Sequence, residues 1–206
     1  MISVLCPSRG RPAQLDASVT SLAANAAYDP PFEVLVVADD DDQDTIAAAR
    51  ELGPSCRLLI TSRKGYDRLH EYYKIAAAAA RGDWLMVWND DAVMATLNWN
   101  AIIEGLPPGI LVADVGSTQS PLCCFPAVRR EAVTALGRFS TDNPHVDTFW
   151  GDAGRAAGVI AAVPVFASHV SAIRYGQHHG FYDPPHQAEI AAAAGTLRSL
   201  AVRDAS

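Results

Sequence analysis

The sequence has no apolar run approaching the roughly 20 residues that a membrane-spanning helix needs. Its longest, around Ile75–Ala80, is mostly alanine and stops at Arg81 and Gly82. The opening MISVLCPSRGRP places its basic residues after a short apolar stretch, the reverse of a secretory leader. A cytoplasmic protein is expected. Cysteine is scarce: Cys6, Cys56, Cys123 and Cys124 form no C-x-x-C pair. That argues against a zinc knuckle or a disulfide framework, and for buried free thiols. Positive charge is scarce too. A formal net charge of −7 counts against a broad nucleic-acid surface, yet leaves room for a local basic groove from Arg9, Arg11, Arg63, Lys64 and Arg68. Several chemical signatures are missing. There is no G-x-G-x-x-G dinucleotide fingerprint, no G-x-x-x-x-G-K-[ST] phosphate loop, no G-x-S-x-G elbow and no H-E-x-x-H helix. No internal repeat occurs.

What is present is an ordinary globular composition, half hydrophobic and 19% charged, over 206 residues. The first 90 residues alternate strand and helix. Strands are predicted at Ile2–Cys6, Phe32–Ala38, Arg57–Thr61 and Asp83–Asn89. Between them lie a helix from Pro12 to about Ala26, with Leu15, Val19 and Leu22 on one face, a helix over TIAAARELG capped by Asp44, and a helix from about Tyr66 to Ala80. This rhythm predicts an α/β fold with a mostly parallel central sheet flanked by helices. The pattern then loosens. A short helix is predicted in NWNAIIEGL, a strand at Gly109–Gly116, a strand turning into a helix in CCFPAVRREAVTALG, and a helix in HVDTFWGDAGRAAG ending at Gly158. VIAAVPVFA reads as a late strand placed at a sheet edge by Pro164, and an alanine-rich helix runs from Pro185 to Val202. One domain is expected over 1–206, with 1–95 as a nucleotide-binding half and 96–206 as an acceptor half.

In such sheets ligands bind at the carboxyl ends of the strands, so the residues just after each strand carry the information. The second strand runs into Asp39, Asp40, Asp41 and Asp42. Four successive carboxylates repel one another unless solvated or employed. Asp41 and Asp42 suit a turn and a helix cap. Asp39 or Asp40 suits hydrogen bonds to a base or ribose. The fourth strand ends in Asn89-Asp90-Asp91, and such carboxylates can hold Mg²⁺ or Mn²⁺ whose shell a diphosphate completes. Arg9, Arg11, Arg63 and Lys64 could share the phosphate charge. Trp88 reads as core, whereas Trp99 and Trp150 suit either core packing or stacking on a sugar or base.

SVLCPSRGRP, FEVLVVADDDDQDT and ARGDWLMVWNDDAVM together resemble the nucleotide-binding half of the family 2-like glycosyltransferases of GT-A fold. In that family the first strand leads into a P-S/T-x-x-R/N-P-like loop, here Pro7, Ser8 and Arg9 onward. The second strand ends in nucleoside-binding acids, and an A-x-G-[DE]-[WY] turn, here Ala80 to Trp84, precedes the metal-binding "DXD" strand end. Asn89-Asp90-Asp91 takes that last place, with Asn for the first acid. The resemblance implies a GT-A-like fold, a nucleotide-diphospho-sugar donor, a UDP-sugar first among them, and Mn²⁺ or Mg²⁺ held by Asp91 with Asp90 beside it. It also implies a histidine, His169, completing the metal shell after the late strand, and a catalytic base in the second half, for which Asp147 and Asp152 are the candidates. YGQHHGFYDPPH, with His178, His179 and His186, suits a lid. The acceptor is a hydroxylated DNA base of phage type, a protein, a lipid-linked sugar or a small molecule. A nucleotidyltransferase and a noncatalytic nucleotide-binding module are the alternatives.

Overall fold

A computed structural model describes residues 1–29, 31–117, 120–169 and 184–204. Its strands are β1 (Ile2–Ser8), β2 (Phe32–Asp39), β3 (Cys56–Thr61), β4 (Trp84–Val87), β5 (Ala92–Met94), β6 (Val112–Ser117), β7 (Ser120–Arg129) and β8 (Ile160–His169). Its helices are α1 (Pro12–Asn25), α2 (Gln43–Glu51), α3 (Leu69–Ala79), α4 (Trp99–Glu104), α5 (Arg130–Leu136), α6 (Val146–Ala157) and α7 (Pro184–Asp204), with a 3-10 turn at Tyr66–Arg68 before α3. The strands form one sheet in the order β3-β2-β1-β4-β7-β6-β8-β5.

The first four strands pair in parallel, and their interiors are apolar because both faces are covered. Two cores result. Leu15, Val19 and Leu22 of α1, Ala49 of α2 and Trp99 and Ile103 of α4 pack on one face. Tyr72, Tyr73 and Ala76 of α3, Ala132 of α5, Phe149 and Trp150 of α6 and Leu197 of α7 pack on the other. Since α1 and α2 cover one face and α3 the opposite one, the chain reverses its winding between β1 and β4. A ligand-sized crevice is expected there, at the carboxyl ends of those two strands.

Beyond β4 the sheet is mixed. β7 is antiparallel to both β4 and β6, β8 is parallel to β6, and β5 is antiparallel to β8. In a flat sheet β5 would lie four strand spacings from β4, about 19 Å. The chain from Val87 to Ala92 spans at most about 18 Å when fully extended, and here it contains a turn. The sheet must therefore curl, and the curl brings the end of β8 over the end of β4.

Two local expectations are corrected. Pro164 does not put β8 at the edge, because β8 lies between β6 and β5. The proline is accommodated where the β6–β8 register shifts, between the Asp114–Ala162 and Gly116–Phe166 pairs, while β5 meets only Ala167–His169. The cap of α2 is Asp42, which accepts from Thr45 N at 3.2 Å, not Asp44 in the first turn. No helix among the described residues is long and apolar enough to cross a membrane.

Candidate active site

The turn from Trp88 to Asp91 is clamped from both faces of the sheet. Trp88 is fully buried, and its indole Nε1 donates to Ser18 Oγ of α1 at 2.8 Å. Ser18 Oγ in turn donates to the Asn89 carbonyl at 3.2 Å. From the other face Tyr73 of α3 donates to the Trp88 carbonyl at 3.0 Å, with Asn89 Oδ1 3.2 Å away. Asn89 thus faces protein, and Asp90 and Asp91 follow at the carboxyl end of β4. Asp90 is buried and accepts from Ser8 Oγ at 2.8 Å and from Arg11 at 3.2 Å. Burial raises its carboxyl above the usual range, against the lowering effects of Ser8 and Arg11.

Asp91 meets His169. Its Oδ1 lies 3.3 Å from His169 Nδ1, and its Oδ2 lies 3.3 Å from Arg11 Nη1. The sheet sets this contact, since Ala92 is the register partner of His169. Asp91 first, and then the Cys124 thiol, hold the imidazole pKa up to about 9. Phe125 packs against the ring with centroids 5.1 Å apart. A carboxylate oxygen and an imidazole nitrogen are suitable donors for Mn²⁺. Two neighbouring donors of an octahedral ion at about 2.1 Å lie about 3 Å apart, so the pair fits one cation. Among the described residues no set of three or more His, Cys, Asp or Glu side chains converges on a metal position. Water and substrate phosphates would complete the shell.

At the end of β2 the four acids have separate employments. Asp39 is buried, accepting from the Tyr72 hydroxyl at 2.5 Å and from Arg9 Nη1 at 2.8 Å. Asp41 takes the rest of the Arg9 guanidinium, which holds its carboxyl below the usual range. Asp42 caps α2 and accepts from Gly10 N at 2.7 Å. Asp40 is exposed at the turn. Tyr72 also receives the Lys64 and Gly65 amides at 2.7 and 3.2 Å, so the loop after β3 is tied to Asp39. Lys64 Nζ reaches Ser62, Arg68 pairs with Glu71, and Arg63 lies close enough to lower the Asp41 pKa. The predicted basic groove is therefore largely matched by acids.

Asp147 sits in the first turn of α6, where Oδ1 accepts from Thr148 N at 2.8 Å. Surrounding protein pushes its carboxyl up to about 6, against hydrogen bonds from Thr148 and the charge of His169. Tyr66, exposed in the 3-10 turn, senses both Asp147 and Arg11. Asp152 lies further along α6 and pairs with Arg155 at 2.7 Å, so it is engaged by its own helix. Trp99 and Trp150 are fully buried core residues, which removes the stacking role. His178 and His179 fall outside the described residues, and His186 is buried in α7. Sequence reasoning missed Tyr72, Tyr73, Ser18 and Tyr66. The pair of tyrosines in LHEYYKI was the available signal, since adjacent helical positions reach the ends of β2 and β4 on either side of β1.

Residues 3–107 match the family model described as glycosyl transferase family 2. No curated protein matches the sequence. Among solved structures the fold is similar to that of mannosyltransferase PcManGT from Pyrobaculum calidifontis in complex with GDP-Man and Mn²⁺. The identity is 17% and the TM-score 0.64, covering 98% of this chain and 73% of that one. It is similar also to glucosyl-3-phosphoglycerate synthase from Mycobacterium tuberculosis in complex with Mn²⁺, UDP and glucosyl-3-phosphoglycerate, at 16% identity and TM-score 0.64, covering 98% and 80%. TarS from S. aureus in complex with UDP aligns at 14% identity and TM-score 0.60, over 95% of this chain but only 64% of that one. At these identities the likeness is one of fold.

Proposed function

From the premise that the chain belongs to glycosyl transferase family 2 and is a glycosyltransferase, we propose that it moves a sugar from a nucleotide-diphospho-sugar to an acceptor hydroxyl, assisted by Mn²⁺ or Mg²⁺. The observation that carries this reading is the meeting of Asp91 and His169, 78 residues apart in sequence and 3.3 Å apart in space. When bound there, a divalent cation takes up the charge of a departing nucleoside diphosphate. Asp91 and His169 hold it, and Asp90, anchored by Ser8, keeps the turn in place. His169 gives up its proton on ligation, so cation affinity rises with pH. Of the two acids expected to hold the nucleoside, Asp40 is the exposed one and accepts from it, whereas Asp39, buried with Tyr72 on one oxygen and Arg9 on the other, steadies the loops around it. Pro7 to Arg11, Arg63 and Lys64 are assigned to the donor's phosphates in the same reading, supported by Arg9 and Arg11 lying beside the acids at the ends of β2 and β4. The relatives' complexes with GDP-Man and with UDP support a nucleoside diphosphate as the handle.

Asp147 is the base in this reading. It lies within the electrostatic reach of His169, and its pKa near 6 lets it accept the acceptor's proton at neutral pH. Asp152 is set aside because Arg155 holds it. A hydroxylated DNA base fits poorly as acceptor. The chain carries a net charge of −7, and Arg9, Arg11 and Arg68 are each engaged by carboxylates. A protein, lipid-linked or small-molecule hydroxyl suits this surface better, and the free thiols suit a reducing, cytoplasmic setting.

A thermal-shift screen of UDP, GDP, CDP and dTDP with and without Mn²⁺ tests the reading. At least one nucleotide should raise the melting midpoint only when Mn²⁺ is present, and Asp91→Ala should abolish that metal-dependent part. No metal-dependent stabilisation by any of the four would sink it.

A further inference from the structure

Arg11 stands where a cation is wanted. A single guanidinium nitrogen, Nη1, spans Asp90 Oδ1 at 3.2 Å and Asp91 Oδ2 at 3.3 Å. Asp91 therefore offers one oxygen to Arg11 and the other to His169. Asp90 has Ser8 on its second oxygen and Arg11 on its first. Both Arg11 contacts are at the long end of the N–H···O range. The neighbouring Arg9 is held more firmly, at 2.8 Å by Asp39 and with a bidentate grip on Asp41. The Arg11 side chain is 48% exposed, while its backbone is fixed as the N-cap of α1, with Leu15 N bonded to its carbonyl at 2.9 Å. The guanidinium can leave the carboxylates without moving the helix.

We infer that Arg11 is a resident counter-ion. It neutralises Asp90 and Asp91 until a divalent cation takes its place, and then turns to the phosphate oxygens that arrive with the donor. The inference rests on the reading of Asp91 and His169 as cation ligands. Its logic is one of charge. One guanidinium stands against the two carboxylates of the turn, with the His169 imidazole on the far oxygen of Asp91. A divalent cation entering alone meets the positive charge of Arg11 and competes with it for Asp91. A diphosphate entering with the cation gives the guanidinium new acceptors in exchange for those it loses. Cation and nucleoside diphosphate then favour each other's binding, and by linkage the effect is reciprocal. Arg11 adds to the coupling that phosphate ligation of the cation gives by itself, acting as a positioning residue and not as a ligand of the metal.

The test is Mn²⁺ titration of the full chain, followed by the electron paramagnetic resonance signal of free Mn²⁺, alone and with saturating UDP or GDP. Wild type, Arg11→Met and Arg11→Lys are compared, with circular dichroism as the check on fold. The expected wild type binds Mn²⁺ weakly alone and about tenfold more tightly with nucleotide. Arg11→Met should bind Mn²⁺ alone about tenfold more tightly than wild type, and nucleotide should tighten it by a smaller factor than in wild type. Arg11→Lys, which keeps the charge on a shorter reach, should fall between them and guards against a folding defect in the methionine variant. An Arg11→Met protein whose Mn²⁺ affinity without nucleotide stays within about twofold of wild type overturns the inference. If wild type binds no Mn²⁺ in either condition, the glycosyl-donor reading fails by itself. The counter-ion role then stands only if Arg11→Met gains Mn²⁺ binding, and falls if it does not.

Discussion

A carboxyl held up to about 6 is ionised at neutral pH and still basic enough to take a proton, which suits Asp147 to its proposed work. Asp147→Asn should lower kcat by roughly 10²- to 10⁴-fold while leaving nucleoside diphosphate affinity nearly unchanged. In wild type, kcat/KM should fall with unit slope below about pH 6. The same group acts on stability with a definite sign. In the unfolded chain it ionises near the ordinary 3.8, whereas in the fold it keeps its proton to about 6. Stability from this group is thus greatest below the lower value and is lost as pH rises through the upper one. Asp147→Asn should match wild type in urea midpoint at pH 4 and exceed it at pH 8. The acids at the ends of β2 and β4 were legible in the sequence because apolar runs stop abruptly at them. Their partners were not. Whether Tyr72 and Tyr73 reach Asp39 and Trp88 depends on the rotational setting of α3, which tertiary packing decides. Arg9 and Arg11 read as phosphate ligands in the sequence, and the folded chain pairs them with acids.

Among the elements, the ARGDW turn before β4 shows how tightly the first half is fitted. Gly82 N and Arg81 N both point at Ser3 Oγ, at 2.8 and 3.2 Å, and Glu33 gathers Ser3, Arg57 and the Arg81 amide. A Cβ at Gly82 would lie 2.6 Å from Ser3 N and from the Met1 carbonyl. Both are backbone atoms, so the turn itself would have to shift. Gly82→Ala should destabilise by about 1–3 kcal/mol in urea denaturation, the cost typical of overpacking. The first four strands were legible because their apolar runs are long and bounded by turns and helices of regular spacing. β5 was not, since three residues carry no period. The place of β8 was misread because a proline usually marks an edge, and here a register shift absorbs it inside the sheet.

For the whole molecule, the family-matched region and the proposed site do not coincide. Residues 3–107 include Asp39, Asp90 and Asp91 but neither Asp147 nor His169. A fragment of residues 1–107 would leave β4 without β7, exposing a strand edge in the middle of what should be a continuous sheet. It should self-associate on size exclusion and show no Mn²⁺-dependent nucleotide stabilisation. The parallel half was legible from local pattern, whereas the curl was not, because it depends on which distant strands pair. That curl has a consequence for the order of folding. The rung between Ala92 and His169 joins positions 77 apart in the chain, and a contact of such separation is expected to form late. A cation or nucleotide that binds the finished site cannot hasten the early steps. It acts afterwards, as a lock on the last rung, and it should slow unfolding while leaving refolding from the denatured chain at its own pace.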